Sequence, residues 1–361
     1  MRLEPPRWWY GGATPLAAWA LWPVSAAYGG IAERRLRKAE PYRSTLPVLC
    51  VGNFTMGGAG KTPVALKLAA LLQGIGRRPA FLTRGYGGSE RGPCLIDGEA
   101  DGAERVGDEP LLLARAAPTV VSRDRRAGAR LIEAMGGGSE PLAASGTIAR
   151  GSQETAPPDT IIMDDGFQNP LLVKDFCVVV VDGGVGIGNA RVFPLGPLRA
   201  PLDAQLARAD AIVILGGSAG AFPGDDRLKR AGVPVFRAEI VPLIDDALRG
   251  QPVLAFCGIG RPGKFFDTLK EAGVPVAEAR AFPDHHPFSE ADARGLQSRA
   301  RALSALLVTT EKDRARLKGR SGALAELYEA AAALPIDVRF RAGDEAALLA
   351  AIARSVPRRD A

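Results

Sequence analysis

Residues 47–63 read PVLCVGNFTMGGAGKTP, a short apolar run that breaks into glycines and closes on Gly60-Lys61-Thr62 ahead of a helix-periodic stretch. Few architectures accept such a segment. A buried strand must deliver the loop, glycines must let successive backbone N–H groups converge, and the next helix must aim its positive end at the same point. The product is a phosphate cradle. Thr55, Met56, Gly57, Gly58, Ala59, Gly60, Lys61 and Thr62 form it, Lys61 reaches the β- and γ-phosphates, and the Thr62 hydroxyl is placed on Mg²⁺. Thr55 stands where the usual G-x-x-x-x-G-K-T spacing begins with glycine. The chain is therefore expected to bind a nucleoside triphosphate on a parallel, helix-flanked sheet of the P-loop type.

At 361 residues there is room for two domains with ample core. The formal net charge of +6 suits an anionic partner: nucleic acid, anionic lipid or an anionic small molecule. No basic tract interleaved with aromatics occurs in the body of the chain, so nucleic acid is not expected. Nothing points to an obligate protein partner. Cys50, Cys94, Cys177 and Cys257 are scattered, three of them in apolar strand-like runs, with no C-x-x-C spacing. They read as reduced core thiols in a compartment that holds ATP.

All four tryptophans, Trp8, Trp9, Trp19 and Trp22, fall in the first 22 residues, and no charge occurs between Arg7 and Glu33. Arg34, Arg35, Arg37 and Lys38 follow at once. The uncharged run is long enough to cross a bilayer, but it is rich in Ala and Gly and interrupted by Pro15 and Pro23. Aromatic residues beside basic ones favour a helix lying in the interface of an anionic membrane. Residues 1–38 are read as that segment.

Residues 39–218 alternate strand and helix. Strands are expected at 48–51, 78–83, 119–122, 160–163, 176–181 and 211–215, with helices at 63–72, 107–117 and 124–135. Residues 136–158, rich in Gly, Ser, Ala and Pro, read as a mobile surface insertion. After a glycine-rich linker near 216–226, residues 219–361 read as a second, smaller α/β domain. Its strands are expected at 253–257, 305–309 and 336–340, and a final helix at 344–355.

Several side chains carry candidate chemistry. Asp164 and Asp165 end an apolar strand downstream of the phosphate loop, where a carboxylate would meet Mg²⁺ held by Thr62. Neighbouring residues on a strand end point apart, so one serves the metal and the other a nearby side chain. Asp108 opens a helix, and an N-cap role would also account for it. His285 and His286, the only two histidines, lie in a loop before a helix capped by Ser289 with Asp292 three residues on. Arg84, Arg123 and Arg199 follow strands or glycine/proline turns and are candidates for binding an anionic substrate; each alone is as readily a solvated charge.

Taken in order, Val51-Gly52-Asn53 with the loop to Pro63, Arg84 to Gly87, Gly107 to Pro110, Asp164 to Gln168, Gly196 to Pro201, Phe282 to His285 and Thr309 to Asp313 resemble the tetraacyldisaccharide 4′-kinase, or lipid A 4′-kinase, family. The similarity runs from the Trp-rich start to at least Asp313. It implies an ATP- and Mg²⁺-dependent kinase acting on the 4′-hydroxyl of an acylated disaccharide, peripheral at the cytoplasmic face of the inner membrane. It also implies roles for single residues: Lys61 and Thr62 on phosphate and metal, Asp164 and Asp165 as the metal pair, and Asp108 with His285 as the pair acting on the attacking hydroxyl. Two positions depart from the family pattern. Asn169 stands in place of a histidine, and His286-Pro287 follows His285. The rival reading is a switch ATPase of the partitioning type acting through protein partners. The loop permits it, but Met56 occupies the place of that group's extra lysine, and Thr310-Glu311-Lys312-Asp313 is not the Asn-Lys-x-Asp that reads guanine.

Overall fold

A computed structural model describes residues 5–11, 13–136, 156–217 and 224–356. The proposed insertion at 136–158 and the linker near 216–226 lie largely outside them. Among the described residues thirteen strands form two sheets. They are β1 (Val48–Gly52), β2 (Pro79–Thr83), β3 (Cys94–Leu95), β4 (Thr119–Val121), β5 (Thr160–Asp164), β6 (Phe176–Asp182), β7 (Ala211–Leu215), β8 (Val235–Pro242), β9 (Val253–Cys257), β10 (Val276–Ala281), β11 (Leu306–Thr310), β12 (Ala331–Leu334) and β13 (Ile336–Phe340). The larger sheet has the order β13-β8-β7-β6-β1-β5-β2-β4-β3 and the smaller β10-β9-β11-β12. The larger is parallel except at its two edges, where β3 runs against β4 and β13 against β8.

The central strands β1, β2, β5 and β7 are buried at every residue, which is why they read as unbroken apolar runs rather than alternating ones. Alternate side chains feed two cores. Leu49, Val51, Val178 and Val213 pack with the helices Lys61–Gly74 and Asp344–Ser355. On the opposite face, Cys50, Ile161, Met163 and Ile212 pack with Arg125–Ala134, Leu202–Leu206 and Asp225–Arg230.

One boundary moves. Hydrogen bonding places β8 and β13 in the larger sheet, and the C-terminal helix packs on it. The smaller unit is therefore the stretch from β9 to β12, inserted between two strands of the larger, rather than 219–361. A five-residue strand reads the same whichever sheet it joins; partner choice is a long-range matter.

The N-terminus forms short 3₁₀ turns at Arg7–Trp9 and Leu16–Leu21 and then a helix, Trp22–Lys38. Among the described residues no helix is long and apolar enough to cross a membrane. Trp9 is buried against Phe193 and donates its indole N–H to the Pro194 carbonyl. The Ser25 hydroxyl donates to the Val192 carbonyl, and Gly29 packs on Pro201. The segment thus docks on residues 192–201. In the same stretch the Pro197 carbonyl accepts from Met56 N–H and Arg199 N–H donates to the Phe54 carbonyl, so the N-terminus sits beside the phosphate loop.

Candidate active site

The loop between β1 and helix Lys61–Gly74 has the backbone its glycines require: φ is +99° at Gly57 and +85° at Gly60. A Cβ on Gly60 would lie 2.2 Å from Leu215 Cδ2, and one on Gly52 would lie 2.3 Å from Phe167 Cβ. The second contact sets β1 tightly against the turn that follows β5. Asn53 braces the loop from below, its side-chain amide donating to the carbonyls of Thr55 at 2.8 Å and Gly57 at 3.1 Å. The Arg199 Nε donates to the Thr55 carbonyl at 2.9 Å. Of the expected cradle, Met56 differs: its N–H is held by the Pro197 carbonyl at 2.7 Å, so it anchors the loop rather than facing a phosphate.

The two strand-end carboxylates part as the pleat requires. Asp165, in the left-handed region at φ +49°, turns to Lys61 Nζ (3.6 Å) and Arg199 Nη1 (3.4 Å). These cations outweigh its burial and hold its carboxyl below the usual range. Asp164 is fully buried, and neither carboxylate oxygen has a hydrogen-bond partner. Burial, together with the charges of Glu109 and Asp165, pushes its carboxyl up to about 7 against the pull of Lys61 and Lys312. An unpartnered buried carboxylate at the end of β5, within electrostatic reach of Lys61, is what a hard cation would satisfy. Among the described residues no group of three or more His, Cys, Asp or Glu could hold a metal unaided. That suits Mg²⁺, which is bound through one or two carboxylates plus substrate phosphates. The residues present fit the ion.

An expected result follows for Asp164→Asn. Because the folded-state carboxyl titrates above its unfolded value, wild-type stability falls as pH rises from about 4 to 7, and the cost is fully present at pH 8. Without metal or nucleotide at pH 8, the variant should melt several degrees above wild type. With MgATP the order should reverse, because only the wild type gains fully from the ligand. A variant melting at or below wild type without metal would show that the Asp164 charge is already compensated.

The second cluster spans the two sheets. Asp108 opens helix Asp108–Ala114 and is 4% exposed. Burial would raise its carboxyl, but Arg316, Lys312 and His285 overcome this and hold it below the usual range. Its Oδ2 receives Arg316 Nε at 2.8 Å and lies 3.7 Å from His285 Nδ1. His285 comes from the loop after β10 and stacks edge-on with Tyr86. The neighbouring Glu109 pairs with Lys312 of the smaller unit, and both bear electrostatically on Asp164, so the two clusters form one site.

The two histidines have different partners. His286 Nε2 lies 3.0 Å from Asp292 Oδ2 and its ring stacks on Phe282, within the capping box that Ser289 and Asp292 form as anticipated. His286 thus holds the loop, and His285 is the ring that meets Asp108. Asn169 serves its own turn, its side-chain oxygen accepting from Leu171 N–H. Arg199 reaches the phosphate loop, whereas Arg84 and Arg123 are exposed beyond the ends of β2 and β4. Sequence reasoning passed over three cations. Arg125 is 2% exposed with its Nε unpartnered, and burial lowers its pKa to about 10 against the pull of Asp164 and Asp165. Lys312, within the Thr309–Asp313 segment, and Arg316, three residues past it, share one short helix, Glu311–Leu317. An arginine run and a charged helix look like solvated surface until the fold buries them.

A doubly flanked parallel sheet, a glycine loop at the start of its central helix and an unpartnered strand-end carboxylate beside it define a P-loop phosphotransferase. Comparison with known proteins narrows the class. The sequence profile of the tetraacyldisaccharide-1-P 4′-kinase family, LpxK, matches residues 17–356. The tetraacyldisaccharide 4′-kinase of Methylobacterium nodulans is 48% identical over 98% of this chain and 97% of that protein. That of Parvibaculum lavamentivorans is 46% identical over 99% of both. A crystal structure of LpxK from Aquifex aeolicus in complex with ATP superposes with a TM-score of 0.68 at 27% identity, covering 95% of this chain and all of that one. This chain belongs to the tetraacyldisaccharide-1-P 4′-kinase family. It is an ATP-dependent kinase, and the partitioning-type reading is not favoured.

Proposed function

We propose that the chain transfers the γ-phosphoryl group of ATP to the 4′-hydroxyl of a tetraacyl disaccharide 1-phosphate presented at an anionic membrane surface. The observation that carries the acceptor side of this reading is the approach of Asp108, on a helix of the larger unit, and His285, in a loop of the smaller, to 3.7 Å. Lys61 and the backbone amides at 57–62 hold the β- and γ-phosphates; Thr62 and Asp164 hold the metal. When bound, Mg²⁺ neutralises charge on the phosphoryl oxygens. Lys61 and Arg199, resting on Asp165, are placed to turn toward phosphate. The acceptor hydroxyl gives up its proton late, because the transition state is loose and asks for positioning more than for a strong base. A carboxylate held below its usual pKa, next to an imidazole, meets that demand. Arg84 and Arg123 are proposed to receive the anionic disaccharide from the exposed rim.

The bilayer face is the N-terminus. Leu16, Trp22, Val24 and Ile31 are 90%, 57%, 57% and 64% exposed, and Arg34, Arg35, Arg37 and Lys38 lie exposed on the same helix region. An apolar patch edged with cations suits the interface at the cytoplasmic face of the inner membrane. The doubly substituted Trp22→Glu/Ile31→Glu chain should sediment with vesicles containing anionic lipid at least 10-fold less than wild type. Its turnover on substrate dispersed in detergent should stay within about threefold. Equal sedimentation of the two chains would remove the N-terminus from the membrane reading.

A further inference from the structure

Asp108 and His285 do not hydrogen-bond to each other; Arg316 contacts both. Its Nη2 sits 2.5 Å from Asp108 Oδ2 and 3.3 Å from His285 Nδ1, and its Nε adds the 2.8 Å bond to the same carboxylate oxygen. Its Nη1 donates to the Gly258 carbonyl at 2.8 Å and to Asp313 Oδ1 at 2.6 Å. That Gly258 carbonyl also receives the His285 backbone N–H, at 2.9 Å. One guanidinium therefore fixes the Asp108 side chain and the carbonyl that holds the His285 loop.

The loop needs holding. His285 has φ +57°, an uncommon conformation for a residue with a Cβ, which persists only where the surroundings over-determine it. Arg316 is itself clamped. Asp313, completely buried, takes Gly258 N–H and the Thr310 hydroxyl on its other oxygen, so the start of helix Glu311–Leu317 and the end of β9 form one rigid mount. A guanidinium can only donate, so wherever Arg316 Nη2 and His285 Nδ1 share a hydrogen bond the ring nitrogen is the acceptor. Lysine could not make this set of contacts: the planar fork is what lets one group meet Asp108, Asp313, Gly258 and His285 together.

We propose that Arg316 is a positioning residue of the transfer reaction, linking the smaller unit to Asp108 and setting the spacing between Asp108 and His285. It rests on the reading of those two residues as the acceptor-side pair. Arg316→Lys, Arg316→Ala and Asp108→Asn are made singly, and each Arg316 variant is also combined with Asp108→Asn. For each chain, kcat, the KM for the lipid acceptor, the Kd for ATP and the melting temperature are measured. We expect kcat to fall roughly 10²-fold in both Arg316 variants, the scale of an ångström-level misplacement. ATP affinity should stay within about threefold. Adding either Arg316 change to Asp108→Asn should cost nothing more, and methylguanidinium should restore part of kcat to Arg316→Ala but none to Asp108→Asn. Turnover of Arg316→Lys within threefold of wild type would overturn the proposal, as would losses that multiply with that of Asp108→Asn. So would collapse of the melting temperature in both Arg316 variants without rescue, which leaves a merely structural ion pair. If Asp108→Asn itself turns over normally, the reading of the pair fails first and is distinguished from failure of Arg316 alone.

Discussion

Lys61→Ala is expected to lower phosphoryl transfer from ATP to tetraacyl disaccharide 1-phosphate by at least about 10³-fold in kcat. Its ammonium is the one side-chain cation the loop itself delivers to the β/γ bridge. It is 11% exposed, so it works in a site where charge is poorly screened. In the nucleotide-free protein it rests 3.6 Å from Asp165 and opposes the rise of the Asp164 carboxyl. Removing it leaves Asp165 to Arg199 and increases the negative charge facing an incoming triphosphate, so ATP affinity should drop as well. Labelled phosphate appearing in the lipid, counted against time for matched folded preparations, measures both effects. Residual transfer above a tenth of wild type would mean that Arg199 or Arg125 already supplies the charge assigned to Lys61.

Asp108→Asn and His285→Ala are expected to lower kcat by about 10²–10⁴-fold while leaving ATP binding within threefold. The asymmetry follows from the proposed roles: residues 57–62 are assigned to the nucleotide, whereas Asp108 and His285 are assigned to the acceptor. Asparagine keeps the volume but loses the charge that gathers Arg316 and Lys312, so the Asp108 change should be the larger of the two. Loss of ATP binding in His285→Ala would contradict the division into nucleotide and acceptor sides. A single-turnover experiment with labelled ATP separates the two outcomes.

The glycine loop between β1 and its helix was legible as sequence because its signals are local, though not that Met56 would be held by Pro197. Glycines at fixed offsets, a lysine and a threonine at a helix start, and an apolar strand before them are all consecutive residues. Asp164 and Asp165 were legible together as the acids ending a buried strand, but not which of them would be left unpartnered. The pairing of Asp108 with His285 rested on resemblance to a family; Asp108 alone read equally as a cap. His286 could be set aside only once Asp292 and Phe282 were seen to occupy its ring.

What the sequence by itself determined is the nucleotide-binding half, whose periodicities and turn residues act over a few positions. What only the tertiary structure decided is which sheet took β8 and β13, which histidine approaches Asp108, and that Arg125, Lys312 and Arg316 are drawn in among these carboxylates. The physical reason is range. Strand partners and buried charges are fixed by packing and electrostatics between residues far apart in the chain, and a lone arginine carries no local mark of whether it will meet water or a carboxylate.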